Sequence, residues 1–266
     1  MINQRKGVRM ENIEQRTDLW LRQRLGKITA SEIYVLMKDR KEQMTEEELA
    51  AWKEANPKSR ITTKTVPFSD ATFTYLNKKI MECYLPVNSK NIESQYFVDC
   101  YIKDHNFTTK AMDFGVLHEA KAKEVYMETM GCSVSDTGFI PYEKYPYFVG
   151  GSPDGLVDDG EGGVEVKCPF TLEKHMQHMM YETPQDLKEN DEQYYWQCVA
   201  CMLFTGRKYW DFISFNPYVS KDIGMKILRV PRNEDEINLL DERISLAVRY
   251  YKEQFDKIYT INKKIL

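Results

Sequence analysis

The sequence predicts an α/β fold, a central mixed β-sheet flanked by α-helices, and three observations lead there. Amphipathic helical stretches fill the first half of the chain. Short alternating segments separated by Gly/Asp turns fill the middle. A helix apolar on nearly all sides then sits between two groups of strands, where only burial against a sheet satisfies it. At 266 residues the chain is long enough for one substantial core, and it reads as a single domain over 1–266.

Taken in order, residues 27–39 ("KITASEIYVLMKD") read as a helix with Thr29 as N-cap and Glu32 three positions later, a capping-box pattern. Residues 40–66 are strongly polar and read as an insertion or mobile surface excursion. A helix over 68–85 takes Ser69 as its cap, and a second runs from about Ala111 to Met130 and stops at Gly131. "CSVSDTGFIPY", "YFVGGSPDGLVDD" and "GGVEVKCPF" read as strands joined by hairpin turns. Residues 191–206 form the buried helix, closed by Gly206, and "RKYWDFISFNP" and "GMKILRVPR" are two further strands. Asn233 with Glu236 opens a C-terminal amphipathic helix over 233–260.

Composition excludes several classes. No run approaches the roughly 18 apolar residues that cross a membrane. The opening "MINQRKGVRMENIEQ" has no apolar segment behind its basic residues, so no secretory leader is expected. Six cysteines scattered over the chain fit a reducing compartment, so the cytoplasm is the expected location. A net charge of -4 argues against binding nucleic acid through overall charge and leaves room for a local basic groove.

The chemistry concentrates in the middle third. In "GVEVKCP" (163–169), Val164, Val166 and Cys168 alternate on one face, which puts Glu165 and Lys167 together on the other. They are either a solvated pair or half of an active site. Ser152-Pro153-Asp154-Gly155-Leu156 precedes them across the turn-rich "VDDGEGG", a spacing that suits a hairpin and would bring Asp154 beside Glu165 and Lys167. Two converging carboxylates need a cation, and an all-oxygen shell completed by water suits Mg²⁺ or Mn²⁺. A nearby lysine can orient or help deprotonate water. The pattern is the PD-(D/E)xK nuclease signature, which in isolation is common by chance.

Glu119 adds a third carboxylate. On a helical wheel Lys121, Glu124 and Glu128 cluster within about 60°, and Glu119 stands roughly 170° from the middle of that cluster. It is therefore either paired internally or a metal ligand. In "WLRQRLGKITASE" (20–32), Arg24 precedes a helix start bearing Thr29 and Ser31, a combination able to hold a phosphate, although a capped helix with solvated arginines explains it equally.

These stretches resemble the YqaJ-like viral recombinase nucleases, the family of the phage lambda exonuclease. "WLRQRLGKITASE" (20–32), "FGVLHE" (114–119), "SPDGL" (152–156), "EVKCPFT" (165–171) and "YYWQ" (194–197) appear in that family's order, and the likeness runs from about residue 14 to 220. The resemblance implies a restriction-endonuclease-like core and Mg²⁺-dependent 5′→3′ digestion of one strand of linear duplex DNA to mononucleotides, in phage-type recombination. It implies that Asp154, Glu165 and the main-chain carbonyl of Val166 hold metal, that Glu119 serves a second ion, and that Lys167 orients the attacking water. Gln197 would reach the nucleophile or scissile phosphate; Arg24, Ser31 and Ser152, with Thr29 beside them, would hold the 5′-phosphate. It further implies a ring-shaped homotrimer around DNA and a single-strand annealing protein as partner. Two departures are visible: Val199 stands where the family often has a second glutamine, and segment 40–66 is longer than expected.

Other motifs read as structure. Cys198 and Cys201, a CxxC within an apolar helix, are expected in the core, as are Tyr194, Tyr195 and Trp196. Cys168 has no cysteine cluster to join, and His175 and His178 are expected at the surface. Two rival functions remain: a structure-specific endonuclease of the same fold, distinguished by cutting closed circular DNA, and a non-catalytic recombination scaffold, distinguished by DNA binding without Mg²⁺-dependent hydrolysis.

Overall fold

The computed structural model describes residues 13–105 and 108–265, so the opening residues read above for a leader lie, through residue 12, outside the described residues. In chain order come α1 (Asp18–Arg24), β1 (Ile28–Thr29), a 3-10 helix (Ala30–Met37), β2 (Asp39–Gln43), α2 (Glu46–Ala55), β3 (Thr63–Pro67) and α3 (Asp70–Glu82). Next are α4 (Ile92–His105), α5 (Lys110–Met130), β4 (Val134–Ser135), β5 (Ile140–Pro141), β6 (Val149–Gly151), β7 (Gly155–Val157) and β8 (Gly162–Lys167). The chain ends with α6 (Leu172–Met179), α7 (Pro184–Asn190), α8 (Glu192–Thr205), β9 (Tyr209–Phe215), β10 (Met225–Pro231) and α9 (Glu234–Ile265).

The main sheet has the order β10-β9-β8-β7-β4, and it is mixed as expected: β8 runs parallel to β9 and the other pairs are antiparallel. A smaller sheet, β1-β6-β5, lies beside it. Alternation along β8 divides the core. Val164, Val166 and Cys168 pack with Phe114, Ala122 and Tyr126 of α5 on one face. On the other side, α8, the 3-10 helix, α3 and α9 build the larger cluster around Met202, Trp210, Phe212, Leu36 and Tyr251. Cys198 and Cys201 are completely buried there, as expected of core thiols.

Two glycines let β8 and β9 approach. A Cβ on Gly163 would lie 2.3 Å from the ring of Trp210, its register partner, and one on Gly162 would lie 2.0 Å from Tyr209. The aromatic rings lie over the glycines in place of side chains. Gly163→Ala is therefore expected to lower stability by roughly 1–3 kcal/mol, read as a lower denaturant midpoint at unchanged slope.

Several elements match their signals. Ser69 caps α3 by accepting from the Thr72 N–H, and α5 ends on Gly131 in the left-handed conformation (φ 63°). Gly206 closes α8 in the same way (φ 72°), and Asn233 Oδ1 accepts from the Asp235 N–H at 2.9 Å to open α9. The polar 40–66 segment is an excursion, and an ordered one: β2 pairs with β3 around α2, which begins with a full capping box at Thr45 and Glu48.

Two expectations need correction. Residues 27–39 do not form one helix. Ile28 and Thr29 pair in parallel with β6, and the 3-10 helix follows without a side-chain cap, because the Thr29 hydroxyl donates to Glu32 Oε2 (2.9 Å) rather than accepting from the backbone. His175 and His178 are not at the surface: both are buried, with their Nδ1 atoms 3.0 and 2.9 Å from Ser214 Oγ. His175 Nε2 meets the Ile223 carbonyl and His178 Nε2 meets Asp191, so non-local polar partners make burial tolerable.

Candidate active site

The β7–β8 hairpin forms as its turn residues predict, with Gly155 opposite Val164 and Leu156 opposite Gly163. Asp154 sits just before β7 and accepts the Val166 N–H on Oδ2 at 2.7 Å. A strand residue directs its N–H and C=O to the same side, so the Val166 carbonyl faces the flank where β7 has ended and Asp154 stands. Glu165, on the opposite face of β8 from Val164 and Val166, is fully buried. Its Oε1 receives the Lys167 ammonium, while its Oε2 is buried with no hydrogen-bond partner among the described residues. Lys167 Nζ also lies over the Tyr194 ring of α8, 4.7 Å from its centre.

Burial dominates the electrostatics. It pushes the Glu165 carboxyl up to about 8, and the neighbouring Asp154 adds to the rise, outweighing Lys167. Asp154 is raised for the same first reason, opposed by Lys167 and reinforced by Glu119. Burial alone would lower Lys167, yet Glu165 and Asp154 hold it well above the usual lysine range. Asp154 and Glu119 thus both add negative potential at Glu165, and a cation placed beside it would relieve the repulsion.

Glu119 does leave the solvated stripe of α5, where Lys121 pairs with Glu124 at 2.7 Å. Its side chain is only 14% exposed and is paired: Lys123 Nζ lies 3.2 Å from Oε1, and the Arg16 guanidinium donates to Oε2. Of the two alternatives the wheel left open, internal pairing is therefore realised, within electrostatic reach of Asp154 and Glu165. Among the described residues, no three His, Cys, Asp or Glu side chains close on one point as a ready metal cluster. Gln197 is buried in α8, one turn beyond Tyr194 and so on the side of the helix that meets Lys167.

A second cluster adjoins this one. Trp20 and Arg24 stand four residues apart on α1, and the guanidinium stacks over the indole at 4.3 Å. Arg24 Nη2 donates to Ser31 Oγ (3.1 Å) and to Thr29 Oγ1 (3.3 Å), and Trp20 Nε1 donates to Ser152 Oγ (2.8 Å). The structure thus brings together Arg24, Thr29, Ser31 and Ser152, the last only two positions from Asp154. Burial lowers the affinity of Arg24 for its proton, with Glu32 opposing it.

Sequence reasoning missed two cations at the site. Lys123 lies four residues after Glu119, a detectable helical pairing, and bridges Glu119, Asp136 (2.7 Å) and the Asp154 carbonyl (2.9 Å). Arg16 carried no local signal. It adopts a left-handed backbone (φ 69°) beside Gln15, whose Nε2 donates to the carbonyls of Thr137 (3.0 Å) and Pro153 (2.8 Å).

The family model of the YqaJ-like viral recombinase domain matches residues 19–208, a span that takes in both clusters. The chain belongs to the YqaJ-like viral recombinase family. Among solved structures, an alkaline exonuclease (LHK-Exo) from Laribacter hongkongensis is 21% identical, with a TM-score of 0.65 over 94% of this chain and 100% of that one. Its complex with dAMP gives a TM-score of 0.66 at the same identity and coverage. A phage-related exonuclease from Haemophilus somnus 129PT is 14% identical, with a TM-score of 0.58 over 87% of this chain and 96% of that one. No curated protein matches. This YqaJ-like chain therefore shares the alkaline-exonuclease fold, the mixed sheet flanked by helices that its sequence predicts. No helix among the described residues is long and apolar enough to cross a membrane.

Proposed function

We propose that this chain is a divalent-metal-dependent exonuclease that digests the 5′-phosphorylated strand of linear duplex DNA to mononucleotides during phage-type recombination. The observation that carries the reading is the buried Glu165 Oε2, without a hydrogen-bond partner among the described residues, beside the half-buried Asp154 carboxylate and a lysine. A buried carboxylate oxygen without a hydrogen bond is expensive unless a cation meets it. Family membership and the shared exonuclease fold support the same reading.

The donor set fits Mg²⁺, with Mn²⁺ as an alternative: Asp154, Glu165 and the Val166 carbonyl are hard oxygens, and Glu119, once released from Lys123 and Arg16, would serve a second ion. A bound Mg²⁺ supplies Lewis acidity and charge neutralisation at the scissile phosphate. The side chains do the rest. Lys167, held between Glu165 and the Tyr194 ring, orients the attacking water and offers positive charge to the developing negative charge on phosphorus. Gln197, one turn beyond Tyr194 on α8, would offer its amide to the nucleophile or scissile phosphate. Arg24, Ser31 and Ser152, with Thr29 beside them, form the pocket for the terminal 5′-phosphate. Ser152 and Asp154 are two residues apart, about 7 Å along an extended chain, so a strand end seated in the pocket presents its first phosphodiester to the carboxylates. A homotrimeric ring around the duplex and a single-strand annealing partner belong to the same proposal, and a ring would let a chain of net charge -4 keep hold of DNA.

Arg24→Ala is expected to lose about 10–100-fold of the preference for 5′-phosphorylated over 5′-hydroxyl ends, the range for a lost charge-assisted hydrogen-bond site. Competition between the two duplexes measures it, and an unchanged preference would remove Arg24 from the pocket. Cutting of covalently closed circular DNA would replace the exonuclease by an endonuclease of the same fold.

A further inference from the structure

Behind the Arg24 pocket lies a chain of charges that no step above uses. Lys79 of α3 is buried, its side chain 9% exposed, between two glutamates: Nζ is 3.2 Å from Glu32 Oε2 and 3.4 Å from Glu82 Oε2. Each glutamate continues to one wall of the pocket. Glu82 Oε2 accepts the Gly26 N–H at 3.0 Å, just past the end of α1, and Tyr101 secures Oε1 at 3.0 Å. Gly26 adopts φ 71°, and a Cβ there would meet Cys83 Sγ at 2.6 Å, so the turn after Arg24 is pressed against α3. Glu32 Oε2 accepts the Thr29 hydroxyl at 2.9 Å and the Tyr75 hydroxyl at 3.3 Å.

Hydrogen counting on the hydroxyls gives the consequence. Lys79 and Thr29 outweigh burial and keep Glu32 ionised, so it can only accept. The single hydroxyl hydrogen of Thr29 is therefore committed to Glu32, and Thr29 Oγ1 can only accept from Arg24 and Ser31. Ser152 Oγ accepts from Trp20, so its hydrogen remains available to an anion, whereas the Ser31 hydrogen rests on Thr29 Oγ1 and reaches an anion by turning away from it. Thr29 is thereby excluded as a phosphate donor and serves as the acceptor on which Ser31 rests.

We propose that Lys79 and Glu32 are positioning residues of the terminal-phosphate pocket, a charge chain anchored on the buried Lys79 that pins both walls and fixes which hydroxyls donate to the phosphate. This rests on the pocket reading given above. Lys79 acts at both ends: through Glu82 on the turn that follows Arg24, and through Glu32 on Thr29. Neither residue touches the phosphate, and neither lies among the carboxylates around Asp154.

The test is the ratio of kcat/KM for 5′-phosphorylated over 5′-hydroxyl linear duplex, measured with Mg²⁺ for the full chain. Lys79→Met is expected to lower the ratio about tenfold, mainly through KM on the phosphorylated end. Lys79→Arg, which retains the charge between both glutamates, is expected to restore most of it. Because Lys79→Met leaves two glutamates without their cation, Glu32→Gln supplies a second route: it frees the Thr29 hydrogen from a charged acceptor and is expected to lower the ratio in the same direction. A merely structural role would reduce both substrates in proportion, so an unchanged ratio in Lys79→Met and Glu32→Gln overturns the inference while leaving the pocket standing. A wild-type ratio near one overturns the pocket and the inference together.

Discussion

Lys167→Ala is expected to reduce Mg²⁺-dependent release of mononucleotides by about 10²–10⁴-fold, the range contributed by a positioned proton-transfer group. Among the described residues Lys167 is the cation bonded to Glu165, and Glu165 and the Tyr194 ring fix the direction of its ammonium. Alanine removes the charge that holds the attacking water and stabilises the developing phosphate charge, while the oxygens of Asp154, Glu165 and Val166 stay in place. The loss should therefore fall on kcat, with binding of 5′-phosphorylated duplex retained, since the Arg24 cluster is built on α1 and the residues that follow it. A melting scan checks that the fold survives. Activity equal to wild type would remove Lys167 from the chemistry.

Glu165→Gln should separate activity from stability. Activity is expected to fall on the order of 10²–10³-fold, because an amide is a poor ligand for a hard cation. Stability moves the other way. The folded-state carboxyl lies near 8 against an ordinary 4.5, so the folded protein binds this proton more tightly than the unfolded chain. That contribution is fully present below about pH 4.5 and is lost as the pH rises through about 8. Glutamine carries no charge to desolvate, so metal-free Glu165→Gln should exceed metal-free wild type by about 1–3 kcal/mol at pH 8 and approach it at pH 5. Saturating Mg²⁺ should narrow the gap at pH 8 by stabilising the wild type alone. Urea melts at the two pH values, with and without Mg²⁺, measure this; a variant less stable than metal-free wild type at pH 8 would contradict the strained-carboxylate account.

The parts of the molecule legible in the sequence are those set by local rules. The Gly/Asp turn between Leu156 and Gly163 fixes the hairpin register, alternation assigns Glu165 and Lys167 to one face, and Gly131 and Gly206 mark helix ends. What failed depended on distant partners. The spacing of Thr29 and Glu32 suits a capping box, but Lys79, far along the chain, holds Glu32 in place to take the Thr29 hydroxyl. His175 and His178 look like surface residues until Ser214 and Asp191 are brought to them. The short α1 went unrecognised, as did α4, whose residues include exposed Tyr96 and Phe97 and buried Val98 and Ile102 without one apolar face. Arg16 joins Glu119 only through tertiary folding. The carboxylates were visible because hairpin geometry and helical periodicity are local; the cations pairing with them were mostly not.

The most direct test follows the products of a 5′-phosphorylated linear duplex with Mg²⁺ over time, for wild type and for Asp154→Asn. The account predicts mononucleotides accumulating from the first minutes and an intact complementary strand, with release stopped by a chelator and absent in Asp154→Asn. Equal release by Asp154→Asn, or release that persists without a divalent ion, would contradict it.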